Sequence, residues 1–229
     1  METGRVRRIS PRQVATLVLA IAAADILTTR LVPKSAEGIV KFAILVAFVA
    51  WAHISFRLTW FDLGFGRSRV ASGARWGGVA MLVIAVGIAV LVAIPATRSN
   101  FVDADVAAAS LSQHILQPLV VIPFTTVLYE ETIFRGVLLG ALLLDTTKWR
   151  AVLVASVLFG LWHLPPALSN ASGKSAIAAV GTVLGTVLVT TFAGFIFSEL
   201  RLRSESILAP VMAHTAFNSF AYVAAVVAS

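Results

Sequence analysis

Long apolar runs separated by short polar segments dominate the hydrophobic pattern of this chain. A helix needs about 20 apolar residues to cross ~30 Å of hydrocarbon, and seven runs approach or exceed that length. They are Val14–Val32, Ile39–Trp60, Trp76–Ala96, Ile115–Leu144, Ala151–Leu168, Ile177–Leu200 and Ile207–Ala228. The fifth run is short and ends at the pair Pro165-Pro166. The pattern predicts an all-α fold, a polytopic bundle of about seven membrane-spanning helices.

The segments between the runs show no internal repeat, low-complexity tract or linker. We therefore expect residues 1–229 to form a single transmembrane domain. The segment Phe101–Gln113 is predicted to be an external loop or a helix lying on the surface. Trp60–Gly64, followed by Arg67 and Arg69, is predicted to be a cytoplasmic connector.

The composition agrees with a membrane protein, since 59% of the residues are hydrophobic and 13% are charged. A soluble domain carries roughly 25% charged residues. The net charge of +7 could indicate nucleic acid, but the basic residues lie in short segments between apolar runs. We exclude nucleic acid and expect contacts with membrane lipid. The absence of cysteine excludes thiol catalysis, disulfides and thiolate metal sites.

Basic residues predict the orientation of the bundle. Alternate inter-run segments, beginning with the N-terminal tail, carry twelve Lys and Arg residues against five in the opposite set. The positive-inside rule then predicts a cytoplasmic N-terminus and an external C-terminus. The first run also resembles a signal peptide, with Ala22 and Ala24 as a small-x-small pattern. Because it continues to Val32, we favour a retained signal anchor.

Two adjacent glutamates, Glu130 and Glu131, lie in the fourth run, where the only other charge is Arg135. A carboxylate in hydrocarbon costs at least ~2.5 kcal/mol, so such groups mark functional sites by default. Glu131 and Arg135 are spaced i, i+4 with the acid first, the better orientation for an ion pair. We predict that Arg135 neutralises Glu131, in a pair that could also be purely structural. Glu130, about 100° away around the helix, would face a wet cavity.

Polar residues on two further runs are predicted to lie at the same depth as Glu130. At 1.5 Å per residue, Glu130 lies about 21 Å and His163 about 18 Å from the inner ends of their helices. On the same measure, His214 lies about 16 Å and Asn218 about 22 Å from the inner loop that precedes the seventh run. Three helices would thus present hydrophilic side chains at one level, which indicates a single site.

These residues suit hydrolysis of a peptide bond. A desolvated Glu130 could act as general base, and His163, with Phe159 packed beside it, could share the water or protonate the leaving amine. His214 and Asn218 could donate hydrogen bonds to the oxyanion. Alternatively, Glu130, His163 and His214 could bind a catalytic zinc ion. We favour the metal-free mechanism because the amide beside His214 suits an oxyanion site.

Other intramembrane protease designs do not match the chain. It contains no His-Glu-x-x-His, no Gly-x-Ser-Gly and no Gly-x-Gly-Asp, which argues against the usual zinc-binding helix and the known serine and aspartyl designs. Polar residues near predicted helix ends are explained by snorkelling and interface contacts, and we assign them no chemistry. These residues are Asp25, Arg30, His53, His114 and Glu199.

Three motifs resemble those of the CPBP family. Their sequences are Glu130-Glu131-Thr-Ile-Phe-Arg135, Phe159-Gly-Leu-Trp-His163 and His214-Thr-Ala-Phe-Asn218, which match EExxxR, FxxxH and HxxxN. The family comprises CAAX prenyl proteases of the Ras-converting type and bacteriocin-processing or immunity-related (Abi-like) membrane proteins. The likeness covers about residues 115–222, the expected catalytic core.

The resemblance implies an intramembrane endopeptidase acting on a membrane-associated peptide or protein, such as a prenylated or leader-type substrate. By motif, Glu130 and His163 would activate water, and His214 and Asn218 would hold the oxyanion. Glu131 and Arg135 would be supporting residues. Eukaryotic prenyl proteases are drawn with eight spans, so seven or eight are expected here.

Two functions of other classes fit the same helices. One is a non-catalytic scaffold or bacteriocin-immunity protein, and the other is a small transporter with an acid–histidine proton relay. We favour the enzyme, because a scaffold does not require acid, base and amide together.

Overall fold

Seven long helices make up the computed structural model, which describes residues 9–229. Each is long and apolar enough to cross a membrane, and no strand occurs within the described range. The helices are α1 Pro11–Leu31, α2 Lys34–Ser55, α3 Arg67–Ala93, α4 Leu111–Leu142, α5 Lys148–Ala171, α6 Ala176–Ser204 and α7 Leu208–Ala228. The prediction of an all-α bundle with seven spans is confirmed. The orientation stays a prediction, and three of its basic residues (Arg5, Arg7 and Arg8) lie outside the described residues.

Polar caps start several helices. Ser10 and Gln13 form a capping box at the start of α1, and Ser110 and Gln113 form another at the start of α4. Each box satisfies backbone N–H groups that the first turn leaves without partners. The segment predicted as a loop or surface helix, Phe101–Gln113, therefore contributes its last residues to α4. Before them the chain forms the short helix Ala104–Ala107.

Helix α2 ends at Ser55, five residues before the predicted end at Trp60. Arg57 adopts a left-handed backbone with φ 54°, and the side chain of Asp62 accepts a hydrogen bond from the Thr59 N–H at 2.8 Å. The chain then folds back against the bundle and buries Leu58 and Leu63. The prediction was wrong because an apolar run can continue into a buried connector.

Two π-helical segments widen α4, Gln117–Val127 and Thr132–Leu138, on either side of the turn Leu128–Glu131. The first contains Pro118 and Pro123, which have no N–H with which to complete the ordinary ladder. Such distortions frequently occur at functional sites. The two glutamates lie on the single α-helical turn between the segments.

Helix α5 is broken at His163. The α-helix Lys148–Trp162 ends there, His163 has φ −86° and ψ 3°, and a second helix runs over Leu164–Ala171. Pro165 and Pro166 lie in the first turn of this second helix, where proline is tolerated. The span therefore continues past the prolines to Ala171, three residues beyond the predicted end of the run at Leu168.

Helix α4 lies at the centre of the bundle, with almost every residue from Tyr129 to Leu142 buried. Helix α3 packs along α7, and α5 packs along α6. Gly160 allows α5 to pack closely on α6, since a Cβ at this position would collide with Thr191. The apolar middle of α6 is left largely on the surface, where lipid would surround it.

Gly64 fixes the connector against α6. Its φ is +85°, and a Cβ there would meet the Nε of Arg201 and lie 2.9 Å from the N of Ile207. Arg201 donates to the carbonyl of Asp62 at 2.9 Å, and the Ile207 N–H donates to the Gly64 carbonyl at 2.9 Å. The connector and the α6–α7 turn thus hold each other.

We expect Gly64→Ala to lower the thermal unfolding temperature of the detergent-solubilised protein. The matched control is Gly173→Ala, because Gly173 has φ +77° with nothing near its Cβ position. The control should lose about 1–2 kcal/mol from the left-handed backbone alone. Gly64→Ala should lose about 1–3 kcal/mol more from overpacking. Equal shifts for the two variants would contradict this role of Gly64.

Candidate active site

Glu131 links α4 to α7 through one carboxylate oxygen. Its Oε1 accepts a hydrogen bond from Arg135 Nη1 at 3.0 Å and another from His214 Nδ1 at 2.8 Å. Glu131 is fully buried. The ion pair expected from the i, i+4 spacing is present. The bond to His214 escaped prediction, because spacing within one helix does not show which residues of another helix lie beside it.

Arg135 contacts residues of α5 and α6 in addition to Glu131. Its Nη2 donates to the Gly194 carbonyl of α6 at 3.3 Å. Its guanidinium carbon lies 4.0 Å from the ring centre of Phe159 and 5.2 Å from that of Phe197. A cation over an aromatic face is stabilised by the ring quadrupole, most strongly where water is excluded. Arg135 therefore joins α4, α5 and α6 around the charge of Glu131.

The ring of His214 is fixed in position and tautomer. It stacks on Phe197 with ring centres 4.8 Å apart and planes 22° apart. A carboxylate ionised beside Arg135 can only accept, so Nδ1 of His214 carries the proton of the bond to Glu131. The other ring nitrogen, Nε2, then faces Glu130, 4.0 Å from its Oε2.

Glu130 has a different environment from its neighbour. The Oε2 atoms of both glutamates have no hydrogen-bond partner among the described residues, but the side chain of Glu130 lines two cavities and that of Glu131 lines neither. His163 lines the same two cavities. Its Nδ1 donates to the Phe159 carbonyl at 2.8 Å, which leaves the lone pair on Nε2. The Phe159 ring lies 4.8 Å from the His163 ring, at the position predicted for it.

A cavity of about 590 Å³ brings the four residues predicted to be catalytic together. Glu130, His163, His214 and Asn218 all line it. The rest of the wall is mainly apolar and comes from α3 and α6, including Trp76, Val83, Val189, Phe192 and Ile196. Sequence reasoning missed the contribution of α3, since no polar residue in its apolar run marked it.

The described residues offer no group of three or more His, Asp or Glu side chains arranged to hold a metal ion. The alternative zinc ligands Glu130, His163 and His214 therefore do not form such a group here. Each histidine already uses Nδ1 in a hydrogen bond.

Asp25 is a residue that sequence reasoning placed at a membrane interface. The structure instead buries it, with 8% of its surface exposed. It lies on the wall of the other cavity that Glu130 and His163 line, which is separate from the large apolar one. Arg30 lines the same cavity. Counting residues from the end of an apolar run gave no sign of this, because it does not show which helices lie beside α1.

The other residues left without chemistry have local partners. The His53 ring packs edge-on against Trp60. His114 is hydrogen-bonded to the Val106 carbonyl. Glu199 pairs with Arg203 at 3.1 Å. Neither of the cavities that Glu130 lines contains His53, His114 or Glu199.

The fold and these contacts define an integral, multi-pass membrane protein with a buried acid–histidine site. Residues 112–220 match the family described as Type II CAAX prenyl endopeptidase Rce1-like. The family resemblance of the three motifs is confirmed over this segment.

One curated relative is the protein of Bacillus subtilis (strain 168) named "Putative membrane peptidase YdiL". It is 32% identical over 108 residues, which are 46% of this chain and 37% of the relative. The matched part thus spans little more than a third of that protein. No solved structure matches the chain significantly.

We expect Arg135→Gln to destabilise the fold strongly, because it leaves the Glu131 carboxylate buried without its cation. Breaking a buried ion pair typically costs about 3–5 kcal/mol. Arg203→Gln is the matched control, since Arg203 forms an i, i+4 pair with Glu199 while 62% exposed, and surface pairs contribute about 0–1 kcal/mol. Thermal unfolding of both purified variants checks this. Similar losses would show that the buried pair has no special weight.

Proposed function

We propose that this protein is an intramembrane endopeptidase that cleaves a membrane-associated peptide with water activated by Glu130. The observation that carries the proposal is the position of Glu130 and His163. They line a largely apolar cavity together with two potential hydrogen-bond donors, His214 and Asn218. The matched family and the name of the relative support a peptidase.

In the proposed reaction, a water molecule lies between Glu130 and His163 Nε2. Glu130, as general base, takes one proton from the water while His163 helps to hold the molecule, and the water oxygen attacks the carbonyl carbon. The proton is then returned to the leaving amine when the tetrahedral intermediate collapses. Proton transfer by positioned side chains contributes typically about 10²–10⁴-fold to the rate.

The charge that develops on the carbonyl oxygen would be held by His214 and Asn218. Donation from Nε2 of His214 requires protons on both ring nitrogens, and the Glu131 carboxylate 2.8 Å from Nδ1 compensates that positive charge. Glu131 and Arg135 therefore position the donor and do not touch the substrate. Preorganised donors of this kind are worth about 10²–10³ in rate each.

The substrate class follows from the wall of the cavity. Apolar side chains of α3 and α6 surround the catalytic residues, and several of them, such as Val83, Val189 and Phe192, are also exposed on the surface of the bundle. An apolar group carried by a peptide could enter between these helices from lipid. A prenylated peptide, as named in the family description, is the substrate we propose.

We expect Glu130→Gln and His163→Ala each to reduce cleavage of a prenylated fluorogenic peptide at least 100-fold in detergent or liposomes. The physical reason is the loss of the general base or of its partner for the water proton. Glu199→Gln serves as the control, since it removes a carboxylate outside both cavities. Full activity in Glu130→Gln would contradict the role of Glu130 as general base. Absence of cleavage by the unsubstituted protein would favour the scaffold or bacteriocin-immunity alternative.

A second measurement separates the metal-free mechanism from a zinc enzyme. Cleavage of the same peptide should persist after dialysis against 1,10-phenanthroline, because the described residues offer no three-ligand group. Loss of activity that returns on adding zinc would show that the metal-free mechanism is wrong. The unprenylated peptide, assayed in parallel, tests whether the apolar group is recognised.

A further inference from the structure

A second cavity, of about 370 Å³, is also lined by Glu130 and His163. It lies between α1, α2 and the broken part of α5, and its wall is much more polar than that of the large cavity, so we call it the polar cavity. Beyond Glu130 and His163, polar side chains that line it include Asp25, Thr29, Arg30, Lys41 and Ser169. Nothing in the proposed reaction uses these residues.

Glu130 and His163 are the two residues that line both this polar cavity and the large apolar one. The proposed catalytic pair therefore forms the boundary between two spaces of opposite character. One space suits an apolar substrate group, and the other suits water.

Asp25 contributes a carboxylate to the wall of the polar cavity. It is buried on α1 and shares the wall of this cavity with Glu130, Lys41, His163 and Arg30. It also borders the apolar groove that lies between α1 and α5. Asp25 therefore lies where the polar cavity meets this apolar groove.

We propose that the polar cavity supplies water to Glu130 and His163, and that Asp25 is the positioning residue that orders this water; the proposal rests on the hydrolytic function above. Each turnover consumes one water molecule, and an apolar substrate group in the large cavity closes that side to water. A water occupies about 30 Å³ and needs 2–4 polar partners. A polar space of about 370 Å³ meets both requirements.

A different occupant would be an anionic end of the substrate, bound by Arg30 and Lys41. The charges on the wall favour water instead. Two carboxylates, Asp25 and Glu130, face the same space, and Lys41 already pairs with Glu37 at 2.6 Å. An added anion would meet two like charges and two cations, of which Lys41 is already paired.

Single cysteines test the proposal, because the chain has no cysteine of its own. Ser169→Cys places a thiol on the polar cavity and Thr190→Cys places one on the apolar cavity. Asn170→Cys is the matched control, exposed on the same helix as Ser169 but outside both cavities. Each purified variant is treated with a charged, water-soluble methanethiosulfonate, with and without the prenylated peptide at saturation.

We expect the peptide to slow labelling of Cys at 190 at least tenfold and to leave labelling at 169 within twofold. Labelled Ser169→Cys should lose at least tenfold in kcat at unchanged KM, while labelled Asn170→Cys keeps its activity. Protection of position 169 by the peptide would overturn the proposal in favour of a substrate subsite, and so would full activity after labelling there. Lack of protection at 190 would instead count against the proposed binding of substrate in the apolar cavity.

Substitution of Asp25 gives an independent readout. Asp25→Asn keeps polar partners for water and should retain kcat within threefold, whereas Asp25→Leu extends the apolar wall and should lower kcat at least tenfold. KM should change little in both, since Asp25 does not touch the substrate cavity. Equal losses in the two variants, or a rise in KM without a change in kcat, would contradict the assigned role.

Discussion

The negative charge buried on Glu131 is the constraint on which the rest of the structure depends. A carboxylate in this position is tolerated only with a cation and hydrogen-bond donors beside it. Arg135 supplies the cation from the same helix, and His214 supplies a donor from α7. Arg135 in turn reaches Gly194 on α6 and the face of Phe159 on α5. One buried charge therefore sets the mutual positions of four helices.

Glu130, the adjacent residue, gains its proposed chemistry from this arrangement. Glu131 is bound to the cation and to one histidine nitrogen, whereas Glu130 lies 4.0 Å from the other nitrogen of that histidine and lines both cavities. The break at His163 brings an imidazole with a free Nε2 to the same boundary. An apolar space and a polar space then meet at the pair, as a hydrolysis reaction in lipid requires: one side for the substrate and one for water.

Local patterns in the sequence predicted what depends on local physics. Seven apolar runs gave seven spans, and the i, i+4 spacing gave the pair of Glu131 with Arg135. The end of α2 was misplaced because residues after Ser55 stay apolar while they fold into a buried connector. The bond between Glu131 and His214 and the burial of Asp25 depend on which helices are neighbours. No spacing within a single helix carries that information.

Thermal unfolding of Glu130→Gln and Glu131→Gln, measured side by side, tests most directly whether the two neighbouring glutamates have different roles. Removing the charge of Glu131 leaves Arg135 and His214 without their shared acceptor charge, so this variant should unfold at a clearly lower temperature, with a loss on the order of 3 kcal/mol or more. Glu130→Gln should unfold at nearly the temperature of the unsubstituted protein. Equal losses, or a greater loss in Glu130→Gln, would contradict the account.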